Sequence, residues 1–236
     1  MGAVALASLV ARTWNLDHDA RQHLHPDERH WSLTSAQIER SPAPPPHGTA
    51  IGPVLDWLDG QRSPADAYRG TDTFVYGGAP FAIARAASGW LEHGARTGAQ
   101  PASAVVRSLD AVGLPLLDAE GAPRFDDGYQ VDLVGRLLGA LADTTAVVVV
   151  GLIARRVRGD RAGLLAAALA GSAVLALGHT RILGAEPWLH LAAAATVLAT
   201  LRLGDDAASR GAVAVRRGPV AGLATGALVA VKLSGA

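Results

Sequence analysis

Cysteine is absent from this chain, methionine is nearly so, and aromatic residues make up only 5% of it. The first absence excludes disulfides, thiolate chemistry and sulfur-ligated zinc, and it leaves the redox compartment open. The scarcity of large aromatics removes the usual filling of a soluble core. Neither sign of charge dominates: acids and bases balance at 21 each, so no global field argues for a nucleic-acid partner. A cleavable signal peptide also fits poorly. Gly2–Ala11 is apolar, but no basic flank precedes it, and Arg12-Thr13-Trp14 offers no small-residue cleavage site. What the chain does hold is Ala, Leu and Val, concentrated in blocks after Leu133, within a sequence that is 50% hydrophobic. Such blocks are the signature of membrane spans rather than of amphipathic periods around a soluble core.

Two unlike halves follow. Residues 12–133 are mixed, rich in Pro, Gly, His and charge, with a loop-like run at Ser41-Pro42-Ala43-Pro44-Pro45-Pro46-His47-Gly48. Residues 134–236 alternate between apolar stretches, at about 135–154, 162–181, 187–203 and 219–236, and short basic or polar joints. Each stretch approaches the roughly 20 residues that cross a ~30 Å hydrocarbon layer, and their Gly and Ala content suits close helix packing in lipid. The expected fold class is all-α: a polytopic transmembrane helix bundle with a large external loop containing short interfacial helices. The stretch 1–11 reads as a truncated first transmembrane helix, since it has half the length of a span, and the last stretch stops abruptly at Lys232-Leu233-Ser234-Gly235-Ala236. The chain therefore reads as an N-terminal fragment, expected to be inactive by itself.

The joints set the topology. Arg155-Arg156-Val157-Arg158-Gly159-Asp160-Arg161 is strongly basic, and Arg210, Arg216 and Arg217 mark the later linker. Basic loops stay cytoplasmic, so 135–154 and 187–203 run inward while 162–181 and 219–236 run outward. The region 12–133 then lies outside, provided that Tyr76–His93 does not cross. That segment is broken by Arg85 and ends in Glu92-His93, which predicts an interfacial amphipathic helix. The expected location is a multi-pass protein of the plasma membrane with the region 12–133 on the extracytoplasmic face.

The densest group of chemical side chains is His23-Leu24-His25-Pro26-Asp27-Glu28-Arg29-His30-Trp31. Adjacent carboxylates beside imidazoles suit a general base or a divalent cation, with Asp27, Glu28 and His25 as candidate ligands. A solvated interfacial loop anchored by Trp31 accounts for the same residues.

The sequence His25-Pro26-Asp27-Glu28, following a short outward helix and Arg12, resembles the first external loop of GT-C glycosyltransferases. Protein O-mannosyltransferases and the aminoarabinose lipid A transferase are the members it is most similar to. Phe74-Val75-Tyr76-Gly77-Gly78-Ala79-Pro80-Phe81 is similar to the family's Tyr-Gly-x-x-Pro-Leu stretch. Gly135-Arg136-Leu137 through Asp143-Thr144 looks like its next span, and Gly159–Ala167 like the turn into the one after. Gly222-Leu223-Ala224-Thr225-Gly226 with Val231-Lys232-Leu233-Ser234 resembles its Gly-Leu-x-x-Gly…Lys-x-Ser segment. The resemblance implies transfer of a sugar from a polyprenyl-phosphate carrier, in the lipid bilayer, to an acceptor protein, lipid or glycan. Asp27 would then be the base that takes the acceptor's proton, with Glu28 supporting it or binding a cation. Substrate-binding positions would be Glu186, Lys232, Arg181 and Tyr76. Glu186 stands where the family carries an acid, normally Asp; it is equally explained as an acid favoured by a helix N-terminus, worth ~0.3–1 kcal/mol. Lys232 would meet a lipid phosphate as a point charge or simply snorkel. His179 and Arg181 share the same external joint.

Arg136 and Asp143 fall inside the 135–154 span. An ionised acid at the bilayer centre costs ~2.5–3.5 kcal/mol, so a structural contact within the bundle is expected of them. Rival readings are a polytopic transporter, a structural membrane subunit, and an external metal-binding domain centred on His23, His25, Asp27 and His30.

Overall fold

The structure, a computed structural model, describes residues 1–18, 28–29, 78–122, 129–209, 222 and 226. The elements among these residues are α-helices: α1 Gly2–Thr13, α2 Gly78–Thr97, α3 Ala102–Ala111, α4 Tyr129–Arg158, α5 Asp160–Gly171, α6 Val174–His179 and α7 Glu186–Ser209. The chain divides into two compact units. The first comprises Met1–Leu16 with Arg136–Ser234 and Ala236, the second Asp17–Gly135 with Gly235.

The longest element is α4, with 30 residues, of which those from Arg136 onward belong to the first unit. It is the one helix among the described residues long and apolar enough to cross a membrane. Its run Val147-Val148-Val149-Val150 is a middling helix former in water, because β-branched side chains lose χ1 freedom on a helix. Length, neighbours and apolar surroundings therefore hold it, not propensity. Arg155, Arg156 and Arg158 occupy its last turn, where the helix dipole favours cations. Gly159, at φ 85°, then stops it. That left-handed conformation suits glycine, and the Gly159 amide closes onto the Arg155 carbonyl at 2.8 Å.

The close approach of α4 and α5 depends on two further glycines. A Cβ on Gly163 would lie 2.6 Å from Arg155 Cβ and 2.8 Å from the Gly151 carbonyl oxygen. A Cβ on Gly151 would lie 3.0 Å from Ala167 Cβ and would run into the Met1 side chain. Gly163 and Ala167 are one turn apart on α5 and both buried, a small-xxx-small face of the kind that lets membrane helices touch backbone to backbone.

Two expected spans look different in the structure. The stretch 162–181 is not one helix: α5 ends at Gly171, Ala173 is extended, and α6 is a separate short helix. Ser172 turns its hydroxyl back to the Ala168 carbonyl at 3.0 Å, and the break frees the Gly171 carbonyl for another partner. The stretch 187–203 lies within α7, which runs on to Ser209. Of the stretch 219–236, only Gly222 and Gly226 are described, both helical.

Three helices of this unit, α1, α5 and α6, turn large apolar side chains outward. On α1 the residues turned inward are Ser8 and Arg12, while Leu6 and Val10 are exposed. On α5 the inward residues are Gly163 and Ala167, and Leu164, Leu165 and Leu169 face out, Leu165 at 62% exposure. Val174 and Leu175 continue that apolar surface on α6. Water would penalise such a surface, and hydrocarbon would not.

In the second unit α2 packs against α3 across the turn 98–101. Ala84, Ser88, Leu91 and Gly94 are buried along one face of α2 at helical spacing. A Cβ on Gly94 would overlap that of Ala102 and come within 2.8 Å of the Ser103 amide, so only glycine admits the contact. Gly98, at φ 72°, ends α2, and its amide bonds the Gly94 carbonyl at 2.9 Å. The interfacial helix expected at 76–93 thus corresponds to α2, shifted to Gly78–Thr97. It carries Arg85, Glu92, His93 and Arg96, and leaves Ile83 and Trp90 exposed.

Candidate functional site

The first unit brings together three titratable side chains from three helices, two of them buried and the third, His190, exposed. Arg12, near the end of α1, has no exposure at all. Its Nε donates to Asp143 Oδ2 on α4 at 2.7 Å. Nη2 lies 2.7 Å from the same oxygen, but at an angle that makes this a charge contact without a hydrogen bond. Nη1 donates to Ser8 Oγ at 2.5 Å and to the Gly171 carbonyl at 3.0 Å, the oxygen released by the α5–α6 break. The second carboxylate oxygen, Asp143 Oδ1, meets His190 Nδ1 on α7 at 2.8 Å. Asp143 is therefore held between a guanidinium and an imidazole, with both oxygens occupied. A charge pair this deep is tolerable only when its hydrogen-bonding capacity is filled. Arg136, also buried, donates from Nη1 to the Leu16 carbonyl at 2.6 Å, closing the turn after α1.

One turn before His190, Glu186 opens α7 and is half-buried. Its carboxylate folds back over Gly184, where a Cβ would come within 2.6 Å of Oε2. Pro187 follows, at the start of the helix where proline is tolerated, and packs on Gly139. Arg181 stands in the joint between α6 and α7. Its Nε is buried and has no hydrogen-bond acceptor among the described residues.

The candidates from sequence are distributed unevenly. Glu28 is described, and it is 1% exposed. A solvated loop acid would be open to water, so that description does not fit Glu28. Asp27, His25, Tyr76 and Lys232 lie outside the described residues, as do His23 and His30. Among the described residues no group of three or more His, Asp or Glu is placed to hold a metal ion. Glu186 and Arg181 both fall in the first unit, at the head of α7 and in the joint before it. Sequence reasoning did not single out His190. The signal was present in the chain, since His190 sits in an apolar stretch, where an ionisable residue calls for a partner.

The described residues thus define an all-helical protein with one helix long and apolar enough to cross a membrane. Comparison with protein-family models, curated proteins and solved structures finds no match for the chain.

Proposed function

We propose that this chain is part of a multi-pass membrane glycosyltransferase that moves a sugar from a polyprenyl-phosphate carrier to an acceptor on the extracytoplasmic face. The observation that carries this reading is Arg181, whose buried Nε–H has no acceptor among the described residues, in the joint that the basic-loop topology puts outside. A buried donor left unmade costs ~1–3 kcal/mol, and an anionic ligand such as a carrier phosphate would satisfy it. The burial of Glu28 and the outward-facing leucines of α5 support the same reading. In it Asp27 takes the proton of the acceptor hydroxyl as the new glycosidic bond forms, Glu28 supports it, and the departing phosphate meets cations. Glu186, Tyr76 and Lys232 complete the proposed substrate-binding set.

The Arg12–Asp143–His190 group favours a second reading, a transporter, because buried charges among helices also mark ion pathways. Membranes carrying the full-length protein, offered a panel of labelled polyprenyl-phosphate sugars, separate the two. Transfer by the wild type, abolished by Asp27→Asn at equal expression and insertion, is the expected result. Absence of transfer from every donor would favour the transporter.

A further inference from the structure

Asp143 Oδ1 engages only one edge of the His190 ring, through Nδ1, and 44% of that side chain stays accessible. The carboxylate fixes Nδ1 as the donor nitrogen, so Nε2 is the atom left to meet a ligand. Once Nε2 is also protonated, the ring donates at both ends, to a carboxylate on one side and to any anion on the other. The charged groups acting on it are Asp143 from α4, Arg12 from α1 and Glu186 from its own helix. With the ring protonated, Arg12 and His190 together outweigh Asp143 by one positive charge, and Glu186 alone opposes them. The surface beyond His190 is apolar. Val197, two turns further along the same face of α7, is exposed. A protonated ring N–H donor above an exposed apolar position matches a phosphate at the end of a hydrocarbon chain.

We propose that His190, oriented by the Arg12-anchored Asp143 carboxylate, is a binding residue for the phosphate of an amphiphilic ligand and donates to it from Nε2. The choice of a polyprenyl phosphate as that ligand rests on the function proposed above. Asp143 and Arg12 are positioning residues, because they act through the ring.

The test uses the whole chain in lipid nanodiscs with ¹⁵N-labelled histidine. The probes are a polyprenyl phosphate and inorganic phosphate, added separately to the wild type and to His190→Gln. Polyprenyl phosphate is expected to shift one pair of ring nitrogen signals, which His190→Gln identifies by their loss. In that variant binding should weaken about tenfold or more, the weight of one charge-assisted hydrogen bond. The difference should vanish as the pH rises through the ring's titration. The same ring shift with inorganic phosphate would support the site with free phosphate as a sufficient ligand, whereas a shift with the lipid alone would support it with the hydrocarbon as part of recognition. Wild-type binding that leaves every ring signal in place overturns the proposal and spares the carrier reading. That readout needs no variant, so a misfolded His190→Gln does not blunt it. No wild-type binding of either probe overturns both.

Discussion

At the level of single residues, the most consequential contact is that of Arg12 with Asp143. Substituting Asp143 with Ala strands a guanidinium with no exposure, and breaking a buried pair from one side costs about 3–5 kcal/mol. Thermal unfolding in detergent should show that loss for Asp143→Ala, while Arg12→Met combined with Asp143→Leu recovers most of it. A double variant as unstable as the two single losses added would mean that the pair is not coupled. Arg136→Met should cost less, about 1.5–3 kcal/mol, because it removes one charged donor from the Leu16 carbonyl. The sequence showed that charges sit inside apolar stretches and that Asp143 and Arg136 need partners. It could not show which partners, since pairing across 131 residues is decided by how helices cross. His190 escaped notice for a related reason. A single imidazole in an apolar run forms no motif, and it gains meaning only when a carboxylate from another helix lies against it.

Helices meet here through what their glycines leave out. Gly163→Val would force a side chain into Arg155 Cβ and the Gly151 carbonyl, where little can yield. An overpacking cost of about 1–3 kcal/mol is expected, read as a lowered midpoint of thermal unfolding. Gly163→Ala should fall between the two, and equal stability of all three would refute the tight crossing. The existence of α1, α2, α4 and α7 was legible, with α4 beginning and α7 ending six residues beyond the expected bounds, because apolar runs and their basic or glycine stops carry the signal. The division of 162–181 into α5 and α6 was not. Composition is uniformly apolar through Gly171, Ser172 and Ala173, and the interruption depends on a carbonyl being claimed by Arg12 from another helix.

For the molecule as a whole, α4 is the one helix among the described residues long and apolar enough to cross a membrane, and the topology proposed from the basic loops can be checked directly. Because the chain has no cysteine, single cysteines report without background. Val157→Cys should react with an impermeant maleimide only from the cytoplasmic side, and Ile182→Cys only from outside. Labelling of both from one side would break the proposed topology and with it the expectation that Arg181 and Asp27 lie on one side of the membrane. The proposed function rests on a resemblance centred on His25-Pro26-Asp27-Glu28. Beside it stand the burial of Glu28 and the Arg181 Nε–H that has no acceptor among the described residues.

The 131 residues between Arg12 and Asp143 also set a clock on biogenesis. At ~5–20 residues per second, the ribosome takes roughly 7–26 seconds to deliver the carboxylate after the guanidinium has emerged. Throughout that interval the guanidinium lacks Asp143, the carboxylate that holds it in the folded structure. Helix α1 is therefore secured only when α4 arrives, although it is made well before it. In pulse-chase, nascent chains ending at residue 140 should be cleared faster than chains ending at residue 160, and equal lifetimes would show that the first helix holds without its distant partner.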